Sequence, residues 1–315
     1  MTAPTQKRRP PMIPEPDGVL VVNKHQGVTS HDIVGDIRRI YRTKKVGHTG
    51  TLDPLAEGVL VVLIGRAAKA AEYLVADRKT YHATLRLGIT TDTEDVTGEV
   101  LSESDALPSA EAVYKVCREQ FLGKILQIPP MYSALKVNGQ KLCDLARQGI
   151  TVERQAREIE IFALECNAIE GTASDYDLKV TCSSGTYIRT LCADIGAALG
   201  CGGVMATLNR TEAGGFRIED SVRISELREE SDEALTMHLL STESLFISLP
   251  AISLPAFYEH LLRNGCSVAT KKLTTSLPIG QRVRLISEKT GFFGLGEVTE
   301  VDEAPSVKCI KLFQL

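Results

Sequence analysis

The chain has 315 residues, 43% hydrophobic and 24% charged, with a formal net charge of −4. This is ordinary for a soluble globular protein, and the length suits one large domain plus a small one, or two middling ones. No apolar run reaches the ~20 residues that span a bilayer, so no membrane association is expected.

Residues 1–16 are basic and Pro-rich without an apolar core, which reads as a disordered lead-in and not as a secretory signal. Eight cysteines run from Cys117 to Cys309, with no C-x-x-C pair and no metal-ligand spacing to histidine. Several, such as Cys182 and Cys192, lie in apolar stretches. They read as buried, reduced thiols of a cytosolic chain that binds no metal.

The acidic average hides an asymmetry. Residues 1–50 carry nine Lys/Arg against four Asp/Glu, and residues 121–157 carry six against two. Residues 219–245 carry eight acids against Arg223 and Arg228. A polyanion responds to local potential, so a basic face is compatible with the overall sign. Alone, such clusters read as solvated surface.

In chain order, Gly18–Asn23 is expected to be a short buried strand. A helix should follow over 32–42, capped by Ser30 or Thr29, with Ile33, Ile37, Ile40 and Tyr41 at helical spacing. Val46–Gly58 reads as a polar, Gly-rich loop and Val59–Ile64 as a strand. Ala67–Leu74 looks helical, Tyr81–Leu87 alternates as a strand, and Asp95–Gly98 reads as a turn. Ser109–Phe121 is a capped amphipathic helix. Leu126–Gly149, with Pro-Pro, Asn-Gly and basic residues, reads as a long surface excursion with a short helix near its end. Strands are expected over 159–169 and 176–182, the second with Tyr176, Leu178, Val180 and Cys182 on one face. A helix over 186–199 should stop at Gly200. The acidic stretch after Phe216 reads as helical. Leu249-Pro250 marks a boundary before a β-rich tail of roughly 65 residues.

The chemistry concentrates in residues 47–58, GHTGTLDPLAEG, between a helix and an apolar strand. This loop holds one imidazole, His48, and two carboxylates, Glu57 at its end and Asp53, the one taken as the candidate. Pro54 restricts Asp53 to extended backbone angles. The spacing matches neither phosphate-binding Gly-rich pattern. By itself, a loop aspartate of this kind more often closes an Asx-turn than performs chemistry.

Val46–Gly58 resembles the signature of the TruB family of tRNA pseudouridine synthases. Further motifs resemble that family in the same order: VNKHQGVTS (22–30), RKTYHATLRLG (78–88), PPMYSALKVNGQKLCDLARQG (129–149), CSSGTYIRTLCADIG (182–196) and LNRTEAGGF (208–216). The tail from Pro250 is similar to a PUA module, a small RNA-binding β barrel. The resemblance implies an α+β catalytic domain over 17–248 around a mainly antiparallel sheet. It also implies a mobile thumb at about 124–150 and a PUA-like module over 249–315.

It implies isomerisation of uridine 55 in the tRNA T loop by base flipping, without metal or other cofactor, in a cytoplasmic monomer whose partner is the tRNA T-arm. Asp53 is then the nucleophile. Arg189 pairs with it and keeps it ionised. Tyr81 stacks on the target base, and Tyr187 lies near Asp53 or Arg189. His48 occupies the space vacated by the base, and Leu208 touches the uracil. Lys24 contacts phosphate or supports the Asp53 loop. Lys124, Lys136, Lys141 and Arg147 of the thumb lie against RNA backbone.

Without the motifs, Arg189 would read as an ordinary helix-surface arginine and Tyr81 as a half-buried strand aromatic. His48 would serve equally well as a loop-stabilising histidine, and Leu208 as core. The chain departs from the family pattern at His25, where proline is usual, and at Cys143, Asn209 and Glu57, where tyrosine, arginine and threonine are common. His25 and Asn209 bear on RNA binding. Three other readings compete: a guide-RNA-dependent relative, a tRNA-folding chaperone without chemistry, and a β-rich RNA-binding protein with an unrelated first half. The thumb-like MYSALKVNGQ favours the stand-alone enzyme over the first. Intact Asp53, Tyr81 and Arg189 argue against the second. The α/β pattern argues against the third.

Overall fold

The computed structural model describes residues 15–74, 78–137, 139–273 and 275–314. All but the last two residues of the expected lead-in lie outside these. Strand β1 (Gly18–Lys24) is apolar and buried along nearly its whole length. Helix α1 (Ser30–Ile40) starts at Thr29, whose hydroxyl accepts from the Asp32 N–H at 3.1 Å while the Asp32 carboxylate accepts from the Thr29 N–H at 2.8 Å. This reciprocal cap leaves Ser30 free for another task.

Strands β2 (Val46–His48) and β3 (Glu57–Ile64) pair in antiparallel register, Val46 opposite Ile64 and His48 opposite Val62. The expected loop over 46–58 is therefore shorter, with both its ends held as strand. Gly65–Tyr73 is a 3₁₀ helix where the sequence predicts a helix over 67–74, and the Asp17 carboxylate accepts from its first backbone N–H groups. In β4 (Lys79–Leu87), Tyr81, Ala83, Leu85 and Leu87 point inward, as the alternation predicts.

A hairpin of β5 (Ile89–Thr91) and β6 (Val100–Glu103) leads to α2 (Ala110–Gln120), capped by Ser109, and to β7 (Gly123–Gln127). Lys124 is therefore part of the main sheet, paired with Glu158 at 2.9 Å, and the excursion begins after Gln127. The excursion carries the short strands β8 (Lys136–Val137) and β9 (Gln140–Lys141) and helix α3 (Leu142–Ala146). Next come β10 (Arg157–Ala168), β11 (Asp175–Cys182), α4 (Ile188–Ala198) and β12 (Gly203–Ala213). The acidic stretch is only partly helical. It holds β13 (Phe216–Arg217), β14 (Val222–Arg223), α5 (Ile224–Glu229) and α6 (Asp232–Met237).

Ten strands form one sheet in the order β14-β1-β3-β12-β4-β11-β10-β7, with β13 on β12 and β2 on β3. All its pairings are antiparallel except β1 with β14 and β3 with β12. The architecture is the expected α+β with a mainly antiparallel sheet. One core lies under β4, β11 and β12 against α2 and α4, and a second lies under β1 and β3 against α1 and α5. Strands β3 and β12 meet at only two positions, Asn209 with Glu57 and Arg210 with Gly58. That brief contact is where the 49–56 loop returns to the sheet.

The tail forms a second sheet with a helix: β15 (Ala251–Leu254), α7 (Ala256–Arg263), β16 (Val268–Ala269), β17 (Arg282–Ser287), β18 (Gly291–Val301) and β19 (Ala304–Leu312). Its order is β15-β17-β18-β19-β16. It packs on the first unit through Phe246, Phe292 and Phe313, whose ring centroids lie 5.7–6.2 Å apart, with Ala70 of the 3₁₀ helix beside them.

Candidate active site

The 49–56 loop is held by its backbone from three sides. The Ser30 hydroxyl accepts from the Leu52 N–H at 2.8 Å and donates to the Leu52 carbonyl at 3.0 Å. The Gly27 N–H donates to the Pro54 carbonyl at 2.8 Å. The Lys24 ammonium, fully buried, donates to the carbonyls of Ala56 at 2.5 Å and His25 at 3.0 Å. From β12, the buried Arg210 guanidinium donates to Val59 at 2.7 Å, Gly50 at 3.0 Å and Thr51 at 3.5 Å. A loop with its carbonyls occupied in this way loses little freedom when it presents a side chain.

The side chain it presents is Asp53. Arg189, two residues into α4, points its Nε at the Asp53 Oδ2 at 2.9 Å. The arginine side chain is 5% exposed and the aspartate 40%, so one partner is anchored and the other faces an opening. The remaining Arg189 nitrogens donate to the carbonyls of Thr93 and Tyr132, each at 2.9 Å. The buried Asp95 brings its Oδ2 within 3.9 Å of Arg189 Nε. Asp95 is itself fixed on its other oxygen by the Thr93 hydroxyl and by the N–H and hydroxyl of Thr97. A buried guanidinium with every edge occupied has one orientation.

Neighbouring groups respond to burial. Desolvation lowers Lys24 to about 8, against the opposing attraction of Asp53. It raises the phenols of Tyr81 and Tyr187, both of which feel the Asp53 charge. It lowers the His48 imidazole, whose buried Nδ1 has no hydrogen-bond partner among the described residues. Behind Arg189, burial raises Glu94, which accepts from the Thr190 hydroxyl at 2.5 Å, and raises Asp194 to about 6 with Glu94 adding to the shift. Leu208 on β12 shares a core cluster with Leu52, Ala56 and Tyr81.

Asp53, Arg189, Tyr81, Tyr187, Lys24 and Leu208 thus converge from five separate segments, while His48 feels the charge of Arg210, one of the groups that brace the loop. Lys24 has the geometry of loop support, the second of the two roles considered for it. Sequence reasoning passed over Ser30 as a bracing group, Arg210, Asp95 and Gln127. The signal for Arg210 was a charged residue at an inward position between Leu208 and Ala213. For Asp95 it was the T-x-D-x-T cluster of small donors around a carboxylate.

Residues 38–188 match the model of the TruB family pseudouridylate synthase N-terminal domain, and residues 189–247 match that of the tRNA pseudouridylate synthase B C-terminal domain. A tRNA pseudouridine synthase B of Clostridium tetani is 41% identical over 284 residues, 90% of this chain and 96% of that protein. The chain belongs to the TruB family. Another TruB relative, from Francisella tularensis subsp. tularensis, is 44% identical over 239 residues, 76% of this chain and 78% of that one. Among solved structures, a chain of a Cbf5-Nop10-Gar1 complex superposes with a TM-score of 0.72 at 26% identity, covering 94% of this chain and 85% of that one. The TruB resemblance read from the collinear motifs is borne out. Among the described residues, no group of three or more His, Cys, Asp or Glu side chains is placed to hold a metal ion, and no helix is long and apolar enough to cross a membrane.

Proposed function

We propose that this chain converts uridine to pseudouridine in tRNA, at position 55 of the T loop, with Asp53 as the catalytic carboxylate. The observation that carries the reading is the 2.9 Å contact between Asp53 and an arginine from a distant helix, at the open end of an otherwise braced loop. The names and identities of the relatives support it.

The reaction breaks the bond between ribose C1′ and uracil N1, turns the base, and joins C1′ to C5. The C5 proton leaves and N1 gains one, so no electrons are exchanged with a cofactor. Asp53 attacks the ribose or the base, or draws a proton from the sugar; each route needs it ionised and aimed. Arg189 aims it. Tyr81 offers its ring face to the everted base, and Tyr187 and Leu208 close the pocket. His48 takes the space the base has left. Lys136, Lys141 and Arg147 of the 128–156 excursion lie against the T-arm phosphates, giving affinity that falls with salt. The 17–248 unit performs the chemistry, and the 249–315 tail acts as a PUA-like RNA-binding module. The working form is a cytoplasmic monomer.

Asp53→Asn is expected to abolish pseudouridine formation while tRNA binding stays within about tenfold, ~1.4 kcal/mol. Full activity in that variant would remove Asp53 from its role. Activity on an isolated T-arm hairpin, with no added RNA or protein, separates this reading from a guide-dependent one.

A further inference from the structure

Gln127 is the last residue of β7, the outermost strand of the sheet, and is 2% exposed. Its side-chain amide closes a ring of two hydrogen bonds with the backbone of Tyr187: Oε1 accepts from the Tyr187 N–H at 2.8 Å, and Nε2 donates to the Tyr187 carbonyl at 3.0 Å. Glutamine is the right shape for this, because one planar group offers a donor and an acceptor side by side.

Tyr187 occupies the N-cap of α4, and its side chain caps nothing. The first turn of that helix also lacks an acidic residue. The Tyr187 carbonyl already accepts the first helical bond, from the Leu191 N–H at 3.0 Å. Gln127 therefore pairs the N–H of the N-cap residue, one of the donors a helix start leaves without an intrahelical partner, and fixes the backbone from which α4 departs. Arg189 lies two residues further on.

Gln127 is also the last sheet residue before the thumb excursion. Beyond it, the Pro129 carbonyl accepts from Arg154 at 3.0 Å, and the Tyr132 hydroxyl donates to Asp92 at 3.1 Å. The Tyr132 carbonyl accepts from Arg189. The segment thus touches the Arg189 assembly twice: at the helix start through Gln127, and at the guanidinium through Tyr132.

We infer that Gln127 is a positioning residue for the proposed isomerisation: it locks the start of α4 against the root of the thumb, so that Arg189 holds Asp53 in line when RNA lies on the thumb. The inference rests on the functional reading above. Gln127 touches no substrate and acts through Arg189. A misplacement of about 1 Å in such an assembly costs up to ~100-fold in rate.

The test is a double-mutant cycle on the full chain with unmodified tRNA, measured under single turnover. Gln127→Met keeps the volume and removes both hydrogen bonds. It is expected to slow pseudouridine formation at saturating tRNA by about 10- to 100-fold, with the apparent tRNA affinity within about twofold of the parent. In an Arg189→Lys background the same change should add less than about twofold, because the group it positions is already gone. A general loss of folding would lower both backgrounds alike. If Gln127→Met does not fold, Gln127→Glu takes its place in the cycle. An active parent whose Gln127 variants keep the parental rate, or lose the same factor in both backgrounds, overturns the inference alone. A parent inactive on tRNA overturns the functional reading and this inference with it.

Discussion

The Ser30 hydroxyl and the Leu52 backbone exchange two hydrogen bonds, at 2.8 and 3.0 Å, in the buried space between α1 and the loop that carries Asp53. The capping of α1 is done by Thr29, so the serine beside it is spent on the neighbouring loop. The peptide before the proposed catalytic carboxylate is thus held by a residue whose place in the sequence suggests helix initiation.

Ser30→Ala leaves a buried N–H and carbonyl of Leu52 without partners. A loss of about 1–3 kcal/mol is expected, read as a lower denaturant midpoint with unchanged slope. Pseudouridine formation should slow by at least about tenfold at saturating tRNA, because the peptide before Asp53 is no longer held.

Arg189→Lys keeps the positive charge and removes the fork. One ammonium cannot serve Asp53, Thr93 and Tyr132 from the positions the guanidinium occupies. A fall of more than about 100-fold in kcat/KM is expected, comparable to losing an electrostatic positioning contact in other active sites. Release of tritium from C5-labelled uridine in tRNA measures it. Activity near the parent's would show that the charge alone suffices.

Gly58 has φ +101°, and a Cβ there would lie 2.3 Å from the Arg210 carbonyl. Gly58→Ala is therefore expected to cost at least about 2 kcal/mol, since backbone strain and a backbone clash coincide. The displaced strand would take the Arg210 brace with it. A melting experiment and an activity assay should fall together.

Asp194 gives a pH signature. Burial lifts its carboxyl from the ordinary value near 3.8 to about 6. Between those values the folded chain binds a proton that the unfolded chain has released, so this group's contribution to stability falls as pH rises from about 4 to 6 and stays low above that. Asp194→Asn removes the buried charge. It should stabilise the protein at pH 7 by about 1 kcal/mol, discounted for the residue's remaining exposure. The gain should shrink towards pH 4. Equal melting shifts at both pH values would contradict the sign.

Local periodicity predicted the elements with one clear face. β4 alternates cleanly, α1 and α2 have caps and apolar stripes, and β11 buries Tyr176, Leu178, Val180 and Cys182 together. β12 escaped because it is central, bulged between Met205 and Thr207 and between Arg210 and Glu212, and mixes polar with apolar residues on both faces. The acidic 219–245 stretch breaks into short pieces because its apolar residues seat against different neighbours, Ile224 and Leu227 under α1 and Leu245 against the tail. At the site, collinear motifs pointed to Asp53, Arg189, Tyr81 and Tyr187. The supporting residues Ser30, Arg210 and Gln127 act on backbone atoms far away in sequence, and such contacts leave little local pattern to read; Asp95 is held by its neighbours Thr93 and Thr97, but the Arg189 it faces is distant.

The three phenylalanine rings between the tail and the 3₁₀ helix after β3 set a practical boundary for anyone shortening the chain. Phe246 lies before the Leu249-Pro250 junction, while Phe292 and Phe313 lie after it. The Tyr73 hydroxyl also reaches across to the Ile310 carbonyl at 3.2 Å. A cut at Pro250 would strip a greasy joint bare on both fragments and invite clumping. The tail and the sheet that carries the Asp53 loop therefore share one apolar joint, and a shortened chain has to keep both sides of it.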